Sequence, residues 1–179
     1  MANIYDVGDY LGITNPGTLT RGLKLAYYAQ AWHLAWHGTP LFDEPVEAWK
    51  NGPVVPHLWA YAKGRPRTSA PGTLTATERA TLDAVIAHYG ALSGSQLSEM
   101  THREAPWVDA RGALGTEESS NVEIPRNRMR LWCVEQSLEG SGPVYRGPQA
   151  PAPSYAELEA SGRRVAREDA EIFRELAAR

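Results

Sequence analysis

A mainly α-helical domain with a small β element, compact around a buried central helix and followed by a C-terminal amphipathic helix, is the fold class this 179-residue sequence predicts. Three observations predict it. Residues 21–37, RGLKLAYYAQAWHLAWH, contain no proline and are apolar on nearly every side, the pattern of a helix surrounded by its own core. Thr75 with Glu78, Ser93 with Gln96 and Ser154 with Glu157 each form a capping box at the head of a helical pattern. Extended signals are confined to the stretch around Val46 and Ala48 and to Glu123-Ile124.

Taken in order, a short apolar-patterned helix covers Ile4 to Leu11 and ends near Gly12. The central helix is capped by Thr18 or Thr20 and stops at Gly38 and Pro40. Leu25, Tyr28, Trp32 and Trp36 share one side of it, and Gln30, His33 and His37 form a narrow polar stripe on another. A brief strand around Val46 and Ala48, broken by Asn51-Gly52-Pro53, suggests a hairpin, and a short helix follows over 54–63 with Pro53 suited to its first turn. Helices then open at Thr75, reaching about Tyr89, and at Ser93, reaching about His102; a turn starts at Pro106, and a last body helix runs from Pro125 to about Leu138. The organisation expected is a body over 1–140, a proline-rich linker over 141–153 (SGPVYRGPQAPAP) and a helix over 154–179. In that last helix Tyr155, Leu158, Val165, Ile172 and Leu176 make a narrow apolar stripe, which needs a surface to cover it, its own body or another chain.

Composition removes several function classes. Eighteen basic against 21 acidic residues give a formal charge of -3, which argues against a strong electrostatic nucleic-acid binder. A single cysteine, Cys133, excludes an intramolecular disulfide and a multi-cysteine metal site. The longest strongly apolar stretch, Leu25 to Trp36, is well short of the roughly 20 residues of a membrane span, and no signal-peptide pattern opens the chain. A cytoplasmic protein is expected.

His33 and His37 have the i,i+4 spacing of metal ligands, but no catalytic Glu stands beside the first, and His57, His88 and His102 lie at no diagnostic distance. Histidines hydrogen-bonded within the fold or at an interface are the plainer reading, and no metal or cofactor is expected. Cys133 in RLWCVEQ reads as a buried structural thiol, and Arg126, Arg128 and Arg130 as solvated surface. There is no G-x-S-x-G elbow, phosphate-binding loop or dinucleotide fingerprint. Two segments remain: Thr101 to Trp107 (THREAPW), and the aromatic-rich stretch holding Trp49, Lys50, Pro53, His57 and Trp59. Each reads either as core or as a recognition edge, since Trp and Arg are enriched among binding hot spots.

In order along the chain, YYAQAWHLAW from Tyr27, PLF-x-E-x-x-x-AWK-x-GPV from Pro40 (PLFDEPVEAWKNGPV) and TH-x-E-x-PW from Thr101 resemble the Panacea-domain, SocA-like antitoxin family. The resemblance spans about residues 4–138; the tail after Gly140 lies outside it, and Asn51 stands where the family often has a bulky residue. It implies a non-catalytic antitoxin, often carried on a prophage or other mobile element, that neutralises a cognate protein toxin encoded next to it by direct contact. One member of this type instead delivers its toxin to a protease as an adaptor. The matching positions Gln30, His33, Trp36, Trp49, Lys50, Pro53, Thr101, His102, Glu104 and Trp107, with His57 beside them, are the expected partner-binding residues. The C-terminal helix is a candidate second contact or homodimer element. A rival reading pairs the 75–90 and 93–102 helices as a DNA-binding operon repressor, against which GSQLSEMTH carries no Arg or Lys. A metal hydrolase using His33 and His37 is a third.

Overall fold

A computed structural model describes residues 1–115, 117–148 and 159. The chain divides into one compact unit over Met1–Pro148 and a second over Gln149–Arg179. The helix expected over 154–179, with its capping box and apolar stripe, lies outside the described residues except for Glu159. In the first unit the order is α1 (Ile4–Tyr10), α2 (Leu19–His37), β1 (Glu47–Trp49), β2 (Gly52–Val54), α3 (Pro56–Ala62), α4 (Ala76–Tyr89), α5 (Gly94–Thr101), α6 (Ala105–Arg111) and α7 (Arg126–Leu138). The expected class is borne out, mainly α with a small two-stranded sheet.

Helix α2 is the axis. Every residue from Gly22 to Leu34 is buried, because α1, α3, α4, α5, α7 and β2 all pack on it. Thr18 is its N-cap residue, but the hydroxyl donates to the Gly12 and Asn15 carbonyls (2.7 and 2.8 Å) rather than capping the helix. At the other end Gly38 takes φ +70° and its N–H closes on Leu34 O, the left-handed stop that glycine permits without a Cβ penalty. Both capping boxes in the described residues form as read, Thr75 with Glu78 and Ser93 with Gln96. Removing such a cap costs about 1 kcal/mol.

The hairpin differs in detail from its sequence reading. The loop is Lys50-Asn51, one step earlier than the expected break, and Gly52 and Pro53 already pair in β2, with Trp49 opposite Gly52 and Ala48 opposite Pro53. Among the described residues none other than glycine has a positive φ, so the reversal is completed by Gly52 at φ +93°. Pro53 therefore cannot open the following helix, and Pro56 does so. The strand read at Glu123-Ile124 is a single antiparallel bridge from Glu123 to Glu47. Ala48 N donates to Val122 O and Ile124 N to Val46 O, both at 2.8 Å, so β1 is covered on both edges. A Cβ on Gly52 would meet Lys24 Nζ and Thr101 Oγ1, each at 2.7 Å. Gly52→Ala should lose about 2 kcal/mol, from left-handed backbone strain and a crowded core together. Urea denaturation reads this, and an unchanged midpoint would show that the reversal does not need glycine.

Of the segment expected to be linker, residues 141–148 belong to the first unit. The Tyr145 ring lies 5.0 Å from both Trp36 and His37, and Gly142 passes so close to Trp32 that a Cβ would come within 2.3 Å of its ring.

Candidate functional site

The hairpin is held from beneath by side chains that reach its backbone carbonyls. Lys24 of α2, 1% exposed, donates from Nζ to Asn51 O (2.5 Å) and Pro53 O (3.1 Å). Trp107 of α6 donates its indole N–H to Trp49 O at 2.9 Å. Arg111, one turn further along α6, donates to Ala48 O at 3.2 Å and to Gly115 O and Glu118 O at 2.5 and 2.8 Å. Ser98 of α5 adds a hydroxyl to Asn51 O at 3.2 Å. Both cations are almost wholly buried, an arrangement tolerated only where hydrogen bonds replace the lost hydration. Among the described residues no carboxylate pairs with Lys24, and burial pulls its ammonium down to about 7. Arg111 also lies over the Trp107 ring at 5.0 Å, and His102 stacks on it with centroids 4.4 Å apart. Burial, then the Lys24 and Arg111 charges, lower the His102 imidazole below its ordinary range.

Outward, the same hairpin carries the groups available for contact. Trp49 is half-buried, Trp59 of α3 is 37% exposed, and their rings meet edge to face at 5.6 Å. The Trp49 indole N–H donates to Glu47 Oε2 at 2.6 Å, and Lys63 Nζ stands 6.0 Å from the Trp59 ring. Lys50 and Asn51 are exposed in the same hairpin, His57 is exposed on α3 two residues before Trp59, and Lys50 lies 3.8 Å from Glu117. A cleft of about 460 Å³ runs between Glu47–Asn51 and Ser119–Asn121.

The expected site residues fall into three groups. Trp49, Lys50, Pro53, His57, Thr101, His102 and Trp107 converge on the hairpin, although the two motifs carrying them are about 50 residues apart in sequence. Of these, Pro53, Thr101 and Trp107 are buried and act from within; the Thr101 hydroxyl donates to Ser98 O at 2.9 Å. Gln30, His33 and Trp36 lie further along α2, Trp36 about 18 Å from Lys24 at 1.5 Å per residue. Gln30 is fully buried, donating to Phe42 O (2.9 Å) and accepting from Leu41 N and Phe42 N (2.8 and 3.3 Å). His33 Nδ1 is 2.9 Å from Thr81 Oγ1, and burial pulls its imidazole down to about 4. Within the polar stripe of α2, Gln30 binds the 41–42 turn and His33 binds α4, while His37 Nε2 is buried without a hydrogen-bond partner among the described residues. Glu104 stands apart, its carboxylate accepting from Tyr28 OH at 2.5 Å and Tyr27 OH at 3.1 Å.

Sequence reasoning passed over the two residues that carry most of the hairpin's support, Lys24 and Arg111. Lys24 had a signal, a lone lysine in the middle of an otherwise apolar helix. Arg111 had none that separates it from the exposed arginines. Among the described residues no group of three or more His, Cys, Asp or Glu could hold a metal ion, and no helix is long and apolar enough to cross a membrane.

Fold and site together define a mainly helical domain that holds a β-hairpin rigidly against its central helix by buried polar side chains. Residues 23–108, from α2 through the hairpin into α6, match the family model described as antitoxin SocA-like, Panacea domain, so the resemblance carried by the motifs is borne out over that span. No curated protein and no solved structure matches the chain. The family match supports an antitoxin-type role, points to a toxin partner and suggests a non-catalytic function.

Proposed function

We propose that this chain neutralises a cognate protein toxin by direct binding, with the exposed side of the hairpin and α3 as the contact surface. The observation that carries this reading is the pinning of the hairpin. Three buried donors from α2 and α6 fix its carbonyls while Trp49, Trp59, Lys50 and His57 face outward. Contacts fixed before binding lose little conformational entropy on association, which favours affinity. A half-buried and an exposed tryptophan side by side give the surface the residue type most enriched among binding hot spots. Trp107, an anchor candidate from sequence, serves here as support, and Trp59 takes its place on the surface. The amphipathic segment 154–179 is a second contact or a homodimer element in this scheme.

Co-expression of the adjacent open reading frame with and without this chain tests the reading. Rescue of growth together with co-purification is the expected result. Rescue with loss of the neighbour's protein and no complex would replace neutralisation by delivery to a protease. A harmless neighbour that binds nothing would overturn both. Within a complex, Trp59→Ala should cost about 1 kcal/mol of stability through the lost Trp49 contact and weaken binding at least tenfold, about 1.4 kcal/mol. Equal affinity would move the contact elsewhere. The DNA-repressor reading gains nothing from α5, whose exposed side presents Ser95, Gln96, Glu99 and Met100, with Glu99 paired to Arg103.

A further inference from the structure

A second cleft, of about 310 Å³, opens where the ends of α4 and α5 meet α7. Glu104, Tyr89, Trp132, Met100 and Gln136 are among its walls. Glu104 is 7% exposed, and among the described residues no basic group lies within 4.0 Å of its carboxylate. The nearest basic residue in sequence, Arg103, is exposed and engaged by Glu99. Two tyrosine hydroxyls use part of the carboxylate's acceptor capacity, which extends to about four lone-pair sites. An unneutralised buried carboxylate on the wall of a cleft marks a place for a cation.

The rest of the lining favours one kind of cation. A metal ion would want several oxygen or nitrogen ligands, and no such group exists among the described residues. The half-buried Trp132 offers aromatic surface instead, beside Tyr89, which is 3% exposed with one face stacked on Tyr28 at 4.0 Å. A flat, weakly hydrated guanidinium matches both features, pairing with a carboxylate through its N–H fork and lying on aromatic faces.

We propose that this cleft receives a guanidinium group, presented by an arginine of the bound protein partner, with the Glu104 carboxylate as its floor. The proposal rests on the protein-binding reading for the source of the arginine, but the cleft's selectivity is tested without any partner. Burial holds Glu104 up at about 7, so a bound cation draws off its proton, and binding strengthens from pH 6 to pH 8. The titratable and charged groups facing Glu104 or its cleft are Tyr27 and Tyr28 from α2, His88 and Tyr89 from α4, Arg103 after α5 and Cys133 from α7.

The experiment is a titration of the whole protein with butylguanidinium, a guanidinium on a four-carbon chain, read by the NMR signals of the Trp132 indole and the Met100 amide. Butylurea, similar in shape and uncharged, is the control. Saturable shifts with butylguanidinium, none with butylurea, and at least tenfold weaker butylguanidinium binding in Glu104→Gln are expected. No saturable shift, an equal response to butylurea, or an unchanged affinity in Glu104→Gln would overturn the proposal. Should Glu104→Gln fail to fold, the two probes on the wild-type protein decide alone, since only a charge-selective cleft separates them. Butylguanidinium binding by a protein that rescues no toxin would leave the cleft standing and remove the partner.

Discussion

Replacing Trp107 by alanine is expected to cost about 3–5 kcal/mol of stability, the range for truncating a buried aromatic. Against a total of about 5–15 kcal/mol for a domain, that is a large fraction. Three losses combine. The side chain is 5% exposed, so its removal leaves a cavity beneath the hairpin. Trp49 O loses its indole donor. Arg111 and His102 both lose the ring they lie against. Trp107→Phe separates these contributions, since it keeps most of the volume and removes only the N–H; about 1–2 kcal/mol is expected. Urea denaturation of the two variants measures both, and a loss below about 1 kcal/mol for Trp107→Ala would show that the hairpin is supported by something else. The contrast with Trp59→Ala is the informative one, because that variant should change binding while costing far less stability, about 1 kcal/mol.

The second expected result concerns pH. Lys24 is held at about 7 by burial, against 10.5 when free. Its folded value is depressed, so the unfolded chain binds more protons between those two values, and stability must rise with pH there. The largest slope is about 1.4 kcal/mol per pH unit. The clean window is pH 7.5–8.5. Below it Glu104, raised to about 7 by burial, contributes the opposite sign, losing stability as pH climbs from the ordinary carboxylate range. Above it burial of the Cys133 thiol works against the folded state, because the unfolded thiol ionises near pH 9 and the buried one stays protonated. His33, depressed to about 4, is neutral in both states throughout this window. Denaturation midpoints at pH 7.5, 8.0 and 8.5 should climb in the wild-type protein and stay flat in Lys24→Met. A wild-type profile as flat as the variant's would mean that Lys24 keeps its charge to much higher pH than its burial implies.

How much of this was legible beforehand divides along a physical line. Helices came through because their signals are local: a capping box, a proline at the first turn or a glycine past the last residue acts within four positions. Thr75 with Glu78 and Ser93 with Gln96 opened the helices they promised. The hairpin was legible as an event but shifted by one step, because Asn51-Gly52-Pro53 reads as a breaker and only pairing with β1 reveals that Gly52 and Pro53 are strand residues. The supports were the least legible. Whether a lysine in an apolar helix is buried or snorkels to the surface depends on what stands opposite it, and here that is a pair of carbonyls nearly 30 residues away. The same holds for Gln30 and Glu104, whose motif positions marked them out while their partners, the 41–42 turn and two tyrosine hydroxyls, explain why.

The wrapping of α2 also sets a timetable. The helix is covered by α3, α4, α5 and α7, and the last of these ends at Leu138. A ribosome adding about 5–20 residues per second needs roughly 5–20 s to travel the hundred or so residues between the end of α2 and the end of α7. For that interval α2 lacks its final cover and is a natural client for chaperones and proteases. Nascent chains stalled before Leu138 should be cleared quickly, so the amount of finished protein follows the pace of its translation as closely as the abundance of its message.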